Sequence, residues 1–427
     1  MKISVVGLGY IGLPTGAMLA EAGHEVCGFD VNAQLRSRLC AGDIPGTEQP
    51  VRELAAKAIA EGRMRVSERI ESADAYVICT PTPTIDNRPD LRFVEAAAAA
   101  VAAVARPGDL VVLESTVPPG TTERIVGNAL RRAGKKPDEF RIAHCPERVI
   151  PGNIVYELRH NARVIGGRTA DDARYARDLY ASFVDGELML TDCTTAELVK
   201  VVENTYRDVN IAFANELALL AEELGVDVWE TIELANKHPR VNILRPGPGV
   251  GGHCIPVDPH FLSNANPFST ELIQTARRVN ERMPHRVVRR VVEYVPGEPA
   301  EKKIVLLGAA YKADVDDARE SPTQRVEELL RERGYRTCVY DPLVTSFSRP
   351  LCASLEEAVA GADALVLMTD HAAFRAVEPG MAGGLMRGRV LIDARRFFDA
   401  ESWRAAGFTT YVLGARASSS LADLAMA

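Results

Sequence analysis

Gly7-Leu8-Gly9-Tyr10-Ile11-Gly12 follows directly on the apolar run Ile3-Ser4-Val5-Val6, and no other stretch of the chain restricts the fold so tightly. After a strand and before a helix, the first glycine makes the tight turn and the second lets the backbone approach a pyrophosphate. The third lets helix and sheet pack closely. The next β-rich run, Glu25–Phe29, ends at Asp30, eighteen positions beyond Gly12. A carboxylate there binds a ribose 2′-hydroxyl and repels a 2′-phosphate, so the expected cofactor is NAD rather than NADP. The plainer account makes Asp30 a turn residue; context and spacing together favour the nucleotide.

Residues 1–195 alternate short apolar runs with helical stretches, as a parallel sheet covered by helices should. Strands are expected at Ile3–Val6, Glu25–Phe29, Ala75–Cys79 and Leu110–Leu113, with the Ala-rich stretch Glu95–Ala105 as a helix. From Thr195 to Gly225 the apolar residues Leu198, Val201, Val202, Val209, Phe213, Leu217 and Leu220 recur near a 3.6 period. This long helix suits domain connection and pairing with its own copy. A second helical segment, Leu272–Tyr294, carries Arg277, Arg278, Arg282 and Arg286. The last third returns to α/β: Lys303–Gly308 is a strand, Ser321-Pro322-Thr323-Gln324 starts a helix, and Arg336–Tyr340 is a strand ending at Asp341. Gly308-Ala309-Ala310-Tyr311 lacks the glycine fingerprint, so a second Rossmann-like domain with a different ligand is expected. The divisions are 1–195, 196–298 and 299–415, with 416–427 a mobile tail.

At 427 residues, two or three domains are needed. The net charge of −8 argues against nucleic acid as the main partner. No apolar run reaches the roughly 18 residues of a membrane span. The chain enters its first strand with no leader, and its eight cysteines are scattered without a CxxC. These features point to a cytoplasmic protein with reduced, free thiols, no disulfide framework and no structural zinc.

Chemistry is expected in four places. Cys254, in Gly249-Val250-Gly251-Gly252-His253-Cys254-Ile255-Pro256-Val257-Asp258-Pro259, lies on a Gly- and Pro-rich loop, where a thiol can hold an oxidised carbon as a thioester. That chemistry is needed to oxidise an alcohol twice, through an aldehyde to an acid. Burial as a small hydrophobe is the usual fate of a free cysteine, but the loop setting argues against it. The neighbouring His253, Asp258 and His260 fit no common zinc spacing, and no metal is expected. Lys200 and Asn204, four apart on the long helix, share one face and can stabilise an alkoxide or oxyanion; a solvated polar stripe is an equal alternative. Glu147, after a short strand, can activate the water that cleaves a thioester, or be an exposed loop acid. Thr82 and Thr116 follow strands ending at the sheet edge where an open α/β sheet binds its ligand, and are expected beside the nicotinamide.

These segments in order, from Gly7–Pro14 through Glu114–Thr121 and the Lys200/Asn204 helix to Gly251-Gly252-His253-Cys254, resemble the UDP-glucose/GDP-mannose dehydrogenase family. The resemblance runs from residue 1 to about 400. It implies two Rossmann-like domains, N-terminal for NAD and C-terminal for UDP, joined by a central long-helix dimerisation domain. The implied activity is oxidation of a sugar C6 hydroxyl to a carboxylate in two hydride transfers. By resemblance, Cys254 is the thioester-forming nucleophile, and Lys200 and Asp258 manage the first proton with a water. Glu147 assists hydrolysis, while Asn204 and Thr116 line the reaction centre. Gly7, Gly9, Tyr10, Ile11, Gly12, Asp30, Thr82 and Thr116 would hold NAD, with Arg319 reaching it from the other domain. Gly251, Lys312 and Arg395 would hold substrate, and Arg240 would reach the sugar nucleotide of the neighbouring subunit of a homodimer. Pro146-Glu147-Arg148-Val149-Ile150-Pro151-Gly152 departs from the UDP-glucose pattern, with Pro151 where a second glutamate is usual. This departure looks most like the UDP-N-acetylhexosamine branch, with Arg148 or His253 expected at the 2-acetamido group. A 6-phosphogluconate-type hydroxyacid dehydrogenase shares the first domain and the helix but needs neither Cys254 nor a second Rossmann-like domain.

Overall fold

The computed structural model describes residues 1–45, 48–149 and 152–416. Pro151 and, past Arg416, the expected mobile tail lie outside the described residues. Two compact units result: Met1–Glu203 with His260–Ser269, and Asn204–Pro259 with the described residues from Thr270 on.

In the first unit the strands are β1 (Lys2–Val6), β2 (Glu25–Phe29), β3 (Met64–Ser67), β4 (Ala75–Ile78), a two-stranded hairpin of β5 (Thr84–Ile85) and β6 (Arg88–Pro89), β7 (Leu110–Leu113), β8 (Arg141–His144), β9 (Arg163–Gly167) and β10 (Leu188–Asp192). The sheet order is β10-β9-β8-β7-β4-β1-β2-β3. Six strands are parallel; β9 runs antiparallel to β8, and β10 follows β9, so the expected parallel sheet gains a reversed edge pair. The order reverses between β1 and β4, the crevice where such sheets bind nucleotides. Alternate residues serve opposite faces: Ala75 and Val77 join one core cluster, Tyr76 and Ile78 the other, and β7 divides its four residues in the same way. Burial on both faces is why these strands are continuous apolar runs. The Ala-rich segment is the helix Arg92–Val104, which buries Val94, Ala97, Ala98 and Val101 at helical spacing.

The second unit holds a five-stranded, fully parallel sheet of β11 (Lys303–Leu307), β12 (Arg336–Tyr340), β13 (Ala364–Leu367), β14 (Val390–Asp393) and β15 (Thr409–Val412), in the order β12-β11-β13-β14-β15. Ser321 caps the helix Pro322–Glu332, accepting the Thr323 N–H, as its sequence promised. Cys338 and Cys352 form a disulfide, with Cα atoms 6.4 Å apart, correcting the expectation that all thiols are free. The Cys352 N–H donates to the Val339 carbonyl at 2.9 Å, bringing the returning chain beside β12. That proximity is tertiary and leaves no short-spacing signature. The other six cysteines are in no disulfide. Among the described residues no helix is long and apolar enough to cross a membrane.

The long helix is Cys193–Leu224, and the Arg-rich one is Glu271–Tyr294. The long helix is inside out relative to the usual expectation. Lys200, Asn204, Asp208 and Asn215 are buried, whereas Leu198, Val202, Tyr206, Phe213, Leu220 and Leu224 are exposed on the opposite face.

Candidate active site

The glycine-rich turn shows three different spatial needs. Gly7 has φ of +95°, and a Cβ there would lie 2.7 Å from the Cys79 carbonyl oxygen. A Cβ on Gly12 would meet the Gly7 oxygen at 1.8 Å, whereas nothing lies within 4 Å of one on Gly9. Two glycines therefore serve the fold, and the third faces open space at the start of the helix Gly12–Glu21, where Tyr10 and Ile11 complete the turn. Asp30 fixes this turn, accepting the Leu8 N–H at 2.8 Å and the Asn32 N–H at 2.8 Å. This cradle fits a dinucleotide: open backbone for a pyrophosphate, and a carboxylate at the end of β2 for a ribose.

Beside it, Thr82 Oγ1 donates to the Thr116 carbonyl at 2.7 Å and Ser115 Oγ to the Thr80 carbonyl at 2.7 Å, tying the loops after β4 and β7 together. Below them lies a polar cluster that inspection of the sequence missed. Glu114, fully buried at its side chain, takes Arg163 Nη1 at 3.0 Å and the Cys79 thiol at 3.0 Å. Burial raises the Cys79 thiol well above its ordinary range, and Glu114 adds to the effect.

Lys200 Nζ meets Glu147 Oε1 at 3.0 Å, both side chains largely buried, and the Val149 N–H donates to Glu147 Oε2 at 2.8 Å. Burial alone would raise the Glu147 carboxyl; the Lys200 ammonium and the Val149 N–H outweigh it and hold the group below its ordinary range. The exposed-acid alternative for Glu147 and the solvated-stripe alternative for Lys200 both fail on this pairing. Arg148 pairs with Glu203 through Nε at 3.1 Å and Nη2, and Nη1 donates to the Ala162 carbonyl at 2.9 Å. Its guanidinium thus clamps the segment after β8 to the helix that carries Lys200. Nearby His144 is fully buried; burial pushes its pKa down to about 3, so it is neutral.

In the second unit, Cys254 lies half-buried on a loop. Its carbonyl accepts the Asp258 N–H at 2.8 Å and the Val257 N–H at 3.1 Å, and Asn204 Nδ2 donates to Asp258 Oδ2 at 2.6 Å. Gly251 is packed against Glu320, where a Cβ would lie 2.6 Å from its carbonyl oxygen; the Gly252 N–H donates to the Arg319 carbonyl at 3.1 Å. Tyr311 covers Gly252, and burial, then the Asp317 carboxylate and Cys254, push its hydroxyl up to about 12. Arg319 makes a two-pronged pair with Asp317, at 2.9 and 2.7 Å. Arg395 donates from Nε to the Met368 carbonyl at 3.0 Å, while Lys312, His253 and Arg240 are exposed.

The second sheet handles its own strand-end carboxylate differently. Asp341, after β12, accepts the N–H groups of Ala309, Ala310, Leu343 and Val344 at 2.7 to 3.0 Å, and His371 Nε2 at 3.0 Å. Burial opposes its charge, but these donors, His371 first, hold it far below the usual carboxylate range. Among the described residues no group of three or more His, Cys, Asp or Glu is arranged to hold a metal ion.

Residues 1–184, 194–282 and 305–400 match, respectively, the NAD binding, central and UDP binding domains of the UDP-glucose/GDP-mannose dehydrogenase family. The chain is 42% identical over 420 residues to UDP-N-acetyl-D-mannosamine dehydrogenase of Methanocaldococcus jannaschii, covering 97% of this chain and 96% of that one. It is 44% identical over 414 residues to the NDP-N-acetyl-D-galactosaminuronic acid dehydrogenase of Ralstonia nicotianae, covering 93% and 96%. The solved structure of UDP-D-ManNAc dehydrogenase from Pyrococcus horikoshii superposes with a TM-score of 0.92 at 42% identity, covering 97% of this chain and 99% of that one.

Proposed function

Because this chain belongs to the UDP-glucose/GDP-mannose dehydrogenase family, we propose that it oxidises the C6 hydroxyl of UDP-N-acetyl-D-mannosamine to a carboxylate. The observation that carries the choice of sugar is the near-full-length identity to mannosamine dehydrogenases, in sequence and in solved structure. One sugar nucleotide, two NAD⁺ and one water become one uronate, two NADH and released protons.

When bound, NAD, the cofactor of the N-terminal domain, would supply the hydride acceptor for each of the two oxidations at C6. Gly7, Gly9, Tyr10, Ile11, Gly12 and Asp30 would hold it, with Thr82 and Thr116 assigned to its nicotinamide end and Arg319 assigned to the same cofactor. Lys200 and Asp258, with a water, take the hydroxyl proton and steady the alkoxide, and Asn204 presents its amide to the same oxygen. The Cys254 thiolate attacks the aldehyde to give a thiohemiacetal, and loss of the second hydride leaves a thioester. Glu147 then draws a proton from water, which adds to the thioester carbonyl and expels the thiolate. Its ionised state, maintained by Lys200, is the one this step needs. Gly251, together with Lys312 and Arg395 of the 299–415 domain, binds the sugar nucleotide, with Glu147, Arg148, Lys200 and Asn204 towards the sugar. Arg148 acts there as a clamp, its guanidinium being committed to Glu203 and Ala162. The exposed apolar stripe of the long helix supports a homodimer, with exposed Arg240 reaching the neighbouring sugar nucleotide.

The Ralstonia relative keeps other N-acetylated sugars in competition. A panel of UDP-N-acetylmannosamine, UDP-N-acetylglucosamine, UDP-N-acetylgalactosamine and UDP-glucose with NAD decides between them. The expected result is two NADH per N-acetylmannosamine nucleotide and at least about tenfold lower kcat/KM for the others. A ratio of one with free aldehyde would end the four-electron claim, and preference for another sugar would reassign the substrate.

A further inference from the structure

The loop that carries Cys254 is anchored seven residues upstream by a group to which the reaction gives no role. Asn215, fully buried on the long helix, accepts the Gly247 N–H on Oδ1 at 2.8 Å and donates from Nδ2 to Asn280 Oδ1 at 2.9 Å. Asn280 in turn donates to the Asp208 carboxylate at 2.8 Å and to the Asp208 carbonyl at 3.0 Å; Arg277 Nη1 pairs with the same carboxylate at 2.6 Å. The Asn215 amide that takes the Gly247 N–H is thus the end of a chain of four buried polar side chains. On the other side of Gly247 stands Arg395: a Cβ on Gly247 would lie 2.7 Å from its Nη1. The turn is therefore gripped from below by the long helix and from above by the second Rossmann-like domain.

Between Gly247 and Cys254 there is little slack. Pro246 and Pro248 are buried, and a Cβ on Gly249 would touch Pro322 at 3.2 Å and Pro284 at 3.3 Å. Gly251 abuts Glu320, and Gly252 is bonded to the Arg319 carbonyl. A segment held at alternate residues transmits a displacement instead of absorbing it.

We propose that Asn215 is a positioning residue that couples nucleotide occupancy at Arg395 to the placement of the Cys254 thiol, through the Gly247 turn. The inference rests on the reading of Arg395 as a sugar-nucleotide ligand and of Cys254 as the nucleophile. A ligand that draws Arg395 off or onto Gly247 alters the upper grip, and Asn215 converts that change into a movement of the loop rather than of the turn alone. Misplacement by about 1 Å is enough to cost on the order of a hundredfold in rate.

The test uses the full-length enzyme and UDP, which lacks the sugar that would cover the thiol. Iodoacetamide labelling of Cys254 is followed on its own peptide by mass spectrometry, with UDP binding measured separately by calorimetry. In the parent, UDP is expected to change the labelling rate at least about threefold. In Asn215→Ala, UDP still binds but the change disappears, and kcat falls on the order of tenfold or more with KM for the sugar nucleotide shifted much less. Asn215→Asp keeps an acceptor for Gly247 and restores part of the response, which a general loss of stability would not do. Should Asn215→Ala not fold, Gly247→Ala, which pushes Arg395 away, is expected to abolish the response in its place. An equal UDP effect in parent and variants overturns the coupling and leaves the nucleotide site standing. Absence of UDP binding to the parent overturns the site, and the coupling with it.

Discussion

A lysine and a glutamate brought together inside a protein each lose water, and neither charge survives there without the other. Lys200 and Glu147 meet at 3.0 Å with little exposure, and the net effect is a carboxyl kept below its ordinary range. A depressed carboxyl pKa contributes stability that is complete above the unfolded value, about 4.3, and lost as pH falls through the lower folded one. Glu147→Gln is therefore expected to cost about 3 kcal/mol at neutral pH and to flatten the acid-side fall in melting temperature between about pH 5 and 3. Thermal melts across that range check it, and an unchanged acid limb would disprove the assignment. Neither partner announces this pairing in sequence: Glu147 reads as a water-activating carboxylate or an exposed loop acid, and Lys200 as an oxyanion stabiliser or part of a solvated stripe. Their pairing depends on β8 ending beside the long helix, which no local pattern encodes. Arg148 teaches the same lesson. Its position next to Glu147 suggests a ligand contact, yet Glu203, fifty-five residues on, takes its Nε and Nη2.

Among the elements, the glycine-rich turn was the most legible, because its constraint is steric and local. Its three glycines nevertheless differ, and the difference is testable. Gly12→Ala places a methyl carbon 1.8 Å from the Gly7 oxygen and is expected to prevent folding or to cost several kcal/mol. Gly9→Ala meets no protein atom within 4 Å, so stability should hold while KM for NAD rises about tenfold or more. Melting curves and NAD titrations of the two variants separate these outcomes; equal destabilisation would refute the distinction. The long helix was legible as a helix but not in its orientation. Its 3.6-residue apolar period is real, but an amphipathic helix does not state which of its faces turns inward. Extending Lys200 and Asn204 along one face to Asp208 and Asn215 would have exposed the buried polar side. Once Asp208 and Asn215 find Arg277, Asn280 and Gly247, that side can be buried with Asp208 Oδ1 and both amide atoms of Asn215 hydrogen-bonded, while Asp208 Oδ2 and Arg277 Nε stay without a partner.

For the whole molecule, that inversion leaves Leu198, Val202, Tyr206, Phe213, Leu220 and Leu224 exposed along about seven turns of helix. The homodimer proposed above would cover this stripe, in the closed symmetry that soluble oligomers favour. Tyr206→Asp combined with Leu220→Asp is expected to shift the protein from dimer to monomer in sedimentation at micromolar concentration. It should also reduce activity strongly through loss of the partner's Arg240; a dimer that persists would remove this face from consideration. The Cys338–Cys352 bond escaped the sequence because the two residues meet only when the chain folds back along β12.

Two sheets of one design end a strand with an aspartate, and the two carboxylates have opposite fates. Asp30 binds two N–H groups on a turn whose middle glycine looks into open space. Asp341 is saturated by four N–H groups and an imidazole, so no ribose can claim it. Calorimetry should accordingly count one NAD per chain. A catalyst with a single dinucleotide berth and two hydrides to discharge must let its first NADH go in mid-reaction. The half-oxidised sugar is then most liable to escape, and in the mechanism proposed above the covalent tether to Cys254 would be its mooring while the berth is refilled.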